Sequence, residues 1–189
     1  MDHADHVALL RDGVVAADAR GGTSSAGATE VWADLGAGTG AFTLALAELL
    51  PAGSTIHAVD RDAGSLAELE RRHAKSSFSA AGHLERHVAD FGHELGLAAL
   101  DGVVMANSLH FVKDKGPVLA RVRAMLKPRG RLLLVEYDSD RGNQWVPYPI
   151  SFETWRTVSA ENGFGEPTLL GAHASRFMRR IYSALSTRD

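Results

Sequence analysis

Residues 30–41 read Glu-Val-Trp-Ala-Asp-Leu-Gly-Ala-Gly-Thr-Gly-Ala, and their order decides the fold. Val31, Trp32, Ala33 and Leu35 predict a buried strand. Gly36, Gly38 and Gly40 follow at alternating positions. Phe42 to Leu50, dense in good helix formers, predicts a helix. Strand, glycine turn and helix together bring a backbone close to a nucleotide. Glycine permits the tight turn and removes the Cβ that would hold a ligand away. Asp34 is the odd residue. A carboxylate at the end of a buried strand is costly unless something pairs with it. Near a helix N-terminus built for pyrophosphate, its charge would repel the ligand. It suits a ligand that is positively charged there. The spacing Gly36-x-Gly38-x-x-Ala41 also satisfies the dinucleotide fingerprint, so the glycines alone leave the cofactor open.

The chain has 189 residues, a length that suits one domain, and 45% of them are hydrophobic, enough for a sizeable core. A net charge of −3 and a pI near 6.3 give no basic field for nucleic acid. Cysteine is absent, which removes disulfides and thiolate metal sites and fits a reducing compartment. No apolar run approaches the roughly 20 residues of a membrane helix. The polar, acidic start Met1-Asp-His-Ala-Asp-His6 is unlike a signal peptide. A cytoplasmic protein with no membrane partner is expected.

Before the glycine motif, Val7, Leu10, Val14 and Val15 give residues 4–16 the pattern of a short amphipathic helix. Residues 18–29 are small, polar and glycine-rich, as in a flexible linker. After the motif, residues 55–60 form a second strand ending in Asp60. This acid follows Gly40 at about the spacing of 20 residues expected of a carboxylate that binds ribose hydroxyls. A helix cap is the competing role for Asp60, but Asp62 and Ser65 stand closer to the helix over 63–75. A loop over 76–82 and a third strand over 84–88 follow, ending near Asp90-Phe91. Residues 100–106 form a fourth strand, and 115–126 a helix with Val118, Leu119, Val122, Met125 and Leu126 at helical spacing. A turn over 127–130 leads to a fifth strand over 131–137. Ser151 opens a helix that ends at Asn162-Gly163. Residues 167–170 and 177–185 give a closing hairpin, with Arg176, Arg179 and Arg180 on its polar face.

Asp34-Leu-Gly-Ala-Gly-Thr-Gly40 resembles the first motif of the class I S-adenosylmethionine (SAM) dependent methyltransferases. That family's ligand carries an ammonium and a sulfonium and no phosphate. The resemblance extends from Val31 to about Ser183. It implies an α/β, Rossmann-like fold: a seven-stranded, mostly parallel sheet in the order 3-2-1-4-5-7-6, with strand 7 antiparallel and helices on both faces. Residues 30–189 would be the SAM-binding domain. Residues 1–29, helix and linker, would be either a lid with its hinge or a loosely docked terminus.

For the cofactor, the resemblance implies Asp34, Gly36, Ala37, Gly38, Gly40, Asp60, Arg61, Asp90, Phe91 and Asn107. Asp90 would accept from the adenine amine, and the N–H of Phe91 would reach the ring. Asn107-Ser-Leu-His-Phe111 matches the motif beside the reactive methyl. It lacks the Asn/Asp-Pro-Pro-aromatic signature of enzymes that methylate adenine or glutamine, and is closer to the small-molecule branch. His110 is the candidate base, with Glu136 and Tyr137 behind it. Its alternative role is structural. Trp145 and Tyr148, in the polar and aromatic segment 138–150, are expected to line the acceptor pocket or to plug the side of the core.

Methyl transfer from SAM needs alignment and water exclusion more than acid–base chemistry, and no metal. The pairs His3/His6 and His83/His87 lack a completing carboxylate, so no metal is expected. A small-molecule methyltransferase is the leading reading. A non-catalytic SAM-binding sensor or partner subunit, and a nicotinamide-dependent dehydrogenase, are the competitors. The chain is short for a dehydrogenase with a second domain, and Asp34 speaks against a phosphate ligand.

Overall fold

In the computed structural model of the chain, residues 1–15, 28–77, 82–175 and 178–189 are described. Most of the expected linker, part of the 76–82 loop, and Arg176 and Phe177 of the expected hairpin lie outside the described residues.

The elements follow the hydrophobic pattern closely. They are α1 (His3–Val15), β1 (Val31–Leu35), α2 (Ala41–Leu49), β2 (Ser54–Asp60), α3 (Ala63–Ala74), β3 (Gly82–Val88), β4 (Leu100–Ala106), α4 (Gly116–Met125), β5 (Leu126–Tyr137), α5 (Phe152–Glu161), β6 (Thr168–Ser175) and β7 (Arg179–Thr187). A single 3-10 turn, Leu109–Phe111, interrupts the path from β4 to α4. The strands make one seven-stranded sheet in the order β3-β2-β1-β4-β5-β7-β6. Neighbours from β3 to β5 pair in parallel, and β7 runs antiparallel to both β5 and β6. This is the sheet expected from the family resemblance.

Residues alternate between the two faces of a strand, and that alternation divides the core. On one face Trp32, Ile56, Val104, Leu133 and Val135 pack against α1 and α2, and Ala58 meets Leu66 and Leu69 of α3. On the other, Ala33, Val103, Met105, Leu132 and Leu134 pack against α4 and Trp155 of α5. α1 is held by buried Val7, Leu9, Leu10 and Val14.

The end of the sheet away from the glycine turn is fastened by a buried polar group. The Arg131 guanidinium pairs with Glu30, donates to the Val14 carbonyl at 2.6 Å, and lies 4.7 Å above the Trp32 ring. Trp32 Nε1 donates to the same Glu30 carboxylate at 2.6 Å. The charges are buried but every partner is present, which is the condition for tolerating them. The network joins the end of α1 to β1 and β5.

The expected turn at 127–130 falls within the hydrogen-bonded length of β5. The Arg129 N–H donates to the Arg188 carbonyl, and the Arg188 N–H to the Gly130 carbonyl. The neighbouring C-terminal strand keeps the chain in the ladder through the bend.

Candidate functional site

The parallel strands β1, β2, β4 and β5 all end on one edge, and the residues singled out by sequence collect there. Leu35 closes β1, and the chain turns through three glycines with positive φ, at 85° for Gly36, 52° for Gly38 and 87° for Gly40. Two of these turns have distinct reasons. At Gly36 an added Cβ would stand 2.4 Å from Ser108 Cβ, because the loop after β4 presses against it. At Gly38 an added Cβ would meet nothing within 4 Å. Its missing side chain therefore leaves open volume beside the backbone. Gly40 then starts α2, whose N-terminus faces the same space.

Asp34 is buried, and its Oδ2 accepts from Thr43 Oγ1 of α2 at 2.6 Å. Burial pushes its carboxyl up to about 6, with the Thr43 hydrogen bond opposing and the nearby Asp60 charge adding. Among the described residues no cation offsets its ionised form. Asp60 ends β2, where Oδ2 accepts from the Gly38 N–H at 2.8 Å and Oδ1 from the Asp62 N–H at 2.9 Å. Asp62 is the cap of α3, accepting from the Gly64 N–H at 2.9 Å, so Asp60 is not needed for that role. Arg61 is exposed beside it. Asp90 bends the chain after β3 by accepting from the Gly92 N–H at 2.7 Å. Phe91 is half-buried and its ring reaches the Gly36 turn.

Asn107 follows β4 with a φ of 53°, and its Oδ1 is buried with no hydrogen-bond partner. A buried acceptor without a donor is costly and points to a ligand that donates. Ser108 Oγ donates to the Leu35 carbonyl at 2.6 Å and locks this loop to the glycine turn. Thr43 and Ser108 were not marked by sequence, since a hydroxyl in a helix or loop carries no spacing signal. The pieces fit SAM. Asn107 Oδ1 and Asp34 ask for a donor and a cation, Asp60 stands at the ribose spacing, and Gly38 leaves room.

The 3-10 turn carries His110 into the core, where it is 3% exposed. Its Nδ1 lies 2.8 Å from Glu136 Oε1, and its backbone N–H donates to Glu136 Oε2 at 2.9 Å. Glu136 is fully buried near the end of β5 and also accepts from the Tyr137 N–H at 3.1 Å. A carboxylate in this place favours the tautomer with the proton on Nδ1, which leaves the lone pair on Nε2. The pair was legible only as two separate candidates. Their meeting depends on β4 and β5 being neighbours and on the tight turn after β4. The Glu136 charge and burial together raise the Tyr137 hydroxyl above its ordinary range, burial foremost.

Segment 138–150 folds back over this turn. The Tyr148 N–H donates to the His110 carbonyl at 3.0 Å, and Lys115 Nζ donates to the carbonyls of Val112 and Tyr148 at 3.0 and 2.9 Å. Val146, Pro149 and Ile150 are its buried residues, while Trp145 is 64% and Tyr148 41% exposed. The core-plug role therefore belongs to Val146, Pro149 and Ile150. Tyr148 lines an open groove of about 700 Å³ with Lys113, Lys115, Asp140, Ile150 and Asn162. No residue of the glycine turn lines that groove, and Trp145 is not among its walls.

A methyltransferase-domain family profile matches residues 33–132, from the middle of β1 into β5 and so through the whole cofactor edge. The chain belongs to the methyltransferase-domain family. With its sheet order and reversed seventh strand, it is a class I SAM-dependent methyltransferase. Among solved structures, this methyltransferase is similar to magnesium protoporphyrin IX methyltransferase of Synechocystis with bound SAM. The TM-score is 0.71 at 17% identity, covering 99% of this chain and 80% of that one. It is also similar to the DszA carbon methyltransferase, with a TM-score of 0.70 at 21% identity over 98% of this chain and 54% of that one. A highly reducing polyketide synthase of Aspergillus terreus is 28% identical over 161 residues, which span 77% of this chain and 6% of that protein. The methyltransferase thus corresponds to a small part of the curated relatives it matches.

Proposed function

We propose that this methyltransferase carries the SAM methyl group to a small-molecule carbon acid, one whose proton is loosened by a neighbouring carbonyl, with His110 as the base. The observation that carries the proposal is the buried His110–Glu136 pair at the edge where the methyl group is expected. Bound SAM supplies an electrophilic methyl on a sulfonium. Asp34 and Asn107 Oδ1 hold its amino-acid end, Asp60 the ribose, and Asp90 with Phe91 the adenine side. A carbon acceptor, unlike an amine, must lose a proton to become nucleophilic, so a positioned base contributes. Glu136 fixes the His110 tautomer and stabilises the imidazolium when Nε2 takes that proton. Burial of the pair keeps water out of the reaction. Tyr148, held against the His110 carbonyl, forms one wall toward the acceptor, with Trp145 at the outer rim. The similarity to a carbon methyltransferase and to polyketide synthases supports a carbon acceptor over an amine. Residues 30–189 form the SAM-binding unit in this reading, and α1 is packed onto it.

The test is a comparison of His110→Ala and Glu136→Gln with the native protein. A panel of β-ketoacyl thioesters, β-diketones and phenols would be read by mass spectrometry for methyl addition. Turnover on the native enzyme's carbon acceptor should fall about 100- to 10,000-fold in His110→Ala, the usual contribution of a general base. SAM affinity should stay within about threefold, since neither group is assigned to the cofactor. Undiminished turnover in both variants would sink the base assignment.

A further inference from the structure

A second group of ligating side chains stands outside the cofactor edge, on the β2–β3 margin of the sheet. In the parallel register His57 lies beside Glu85, and Val59 beside His87. Residues two apart on a strand share a face, so His57, Glu85 and His87 project together. That face is opposite the one on which Ile56 and Ala58 meet α2 and α3. His57 Nδ1 is 3.0 Å from His87 Nε2 and 3.3 Å from Glu85 Oε2. The three ligating atoms all lie within 4.8 Å of one another.

These spacings match a coordination sphere. A zinc ion with bonds of about 2.0–2.1 Å in tetrahedral geometry sets its ligand atoms roughly 3.3–3.5 Å apart. The His57–His87 and His57–Glu85 separations lie within a few tenths of an ångström of that spacing, and the third lies within 4.8 Å. Two ring nitrogens facing each other at hydrogen-bond distance cannot both carry a proton, so one donates to the lone pair of the other, and an ion between them would take the place of that proton. The Glu85 side chain is 56% exposed, which leaves a fourth position open to water. Sequence spacing missed the group because it pairs His83 with His87 along one strand, whereas the third ligand comes from the neighbouring strand.

We propose that His57, Glu85 and His87 bind one divalent cation of the zinc class, clamping the edge strand β3 to β2. Two imidazoles and one carboxylate suit zinc, nickel or copper, while calcium and magnesium prefer all-oxygen shells. Asp60 ends β2 and Asp90 follows β3 by two residues, so the clamp stiffens the margin that carries two cofactor carboxylates. The ion lies outside the site of methyl transfer and takes no part in that reaction.

The test uses the full chain, stripped with chelator, without SAM or acceptor. Cobalt(II) titration followed by visible absorption should saturate at one equivalent with the intense bands of four-coordinate cobalt. Zinc should compete it away and raise the melting temperature. His87→Ala and Glu85→Gln should each weaken cobalt binding at least about tenfold. Glu85 is exposed, so loss of binding in Glu85→Gln is not a folding effect. Absence of saturable binding up to about 1 mM, or binding unchanged in both variants, would overturn the proposal. The second result would assign the ion to other histidines, such as His6 or His83.

Discussion

At the scale of the residue, Asp34 sets the strongest demand on the site. Its folded carboxyl is raised from 3.8 to about 6 by burial. Between those values the unfolded chain gives up the proton first, so the ionised form at neutral pH subtracts from stability. The penalty is complete above about pH 6 and fades as pH falls toward 4. A shift of this size corresponds to about 3 kcal/mol. A cationic ligand group beside the carboxylate offsets that penalty. Asp34→Asn should therefore raise the melting temperature of the ligand-free protein at pH 7, flatten its pH dependence between 4 and 6, and weaken SAM binding about tenfold or more. Scanning fluorimetry at several pH values with calorimetric titration measures all three. A lower melting temperature together with unchanged SAM affinity would show that Asp34 is a structural acid only. Asp34 was legible because its chemistry conflicts with its surroundings. Thr43 and Ser108 were not, because a hydroxyl signals nothing until its partner is placed. The His110–Glu136 pair was half legible: each residue stood at the right strand end, but only the 3-10 turn at 109–111 drives the ring inward to the carboxylate.

At the scale of the element, the strands were legible from apolar runs and the helices from their period. β5 began earlier than its apolar run because Arg129 adopts a φ of 62°, where glycine is the easier residue, and its ladder bonds continue through the bend. Segment 138–150 was the hardest to read, since its aromatic residues suited a pocket wall and a core plug alike. Its buried anchors are Val146, Pro149 and Ile150, and the large rings face outward. α1 makes a quantitative case. Its period gave the buried stripe, and Leu10 is completely enclosed between α2 and the sheet. Leu10→Ala should cost about 2–5 kcal/mol, the range for emptying a buried leucine site. Urea denaturation measures it. A loss below about 0.5 kcal/mol would mean that α1 is undocked in solution, as a lid at rest in its open position would be.

At the scale of the whole molecule, one sheet edge gathers what the chemistry needs. The parallel order places the ends of β1, β2, β4 and β5 side by side, and the ends of β1, β2 and β4 with the loops that leave them supply every proposed cofactor contact except those after β3. The opposite end, with the Arg131–Glu30–Trp32 network, is bound up in its own partners. Fold and family follow from this arrangement, and the acceptor does not, because the proposed acceptor residues lie in the irregular segment 138–150 and the short turn at His110, which carry no period. The central claim is that the glycine edge holds SAM. Calorimetric titration of the native protein and Asp60→Ala with SAM, S-adenosylhomocysteine and NAD tests it most directly. The account predicts that the native protein binds both adenosyl ligands at one site and not NAD, and that Asp60→Ala weakens both by about tenfold or more, as expected when a charged hydrogen-bond acceptor is removed. Binding of NAD alone, or equal adenosyl affinity in the variant, would contradict it.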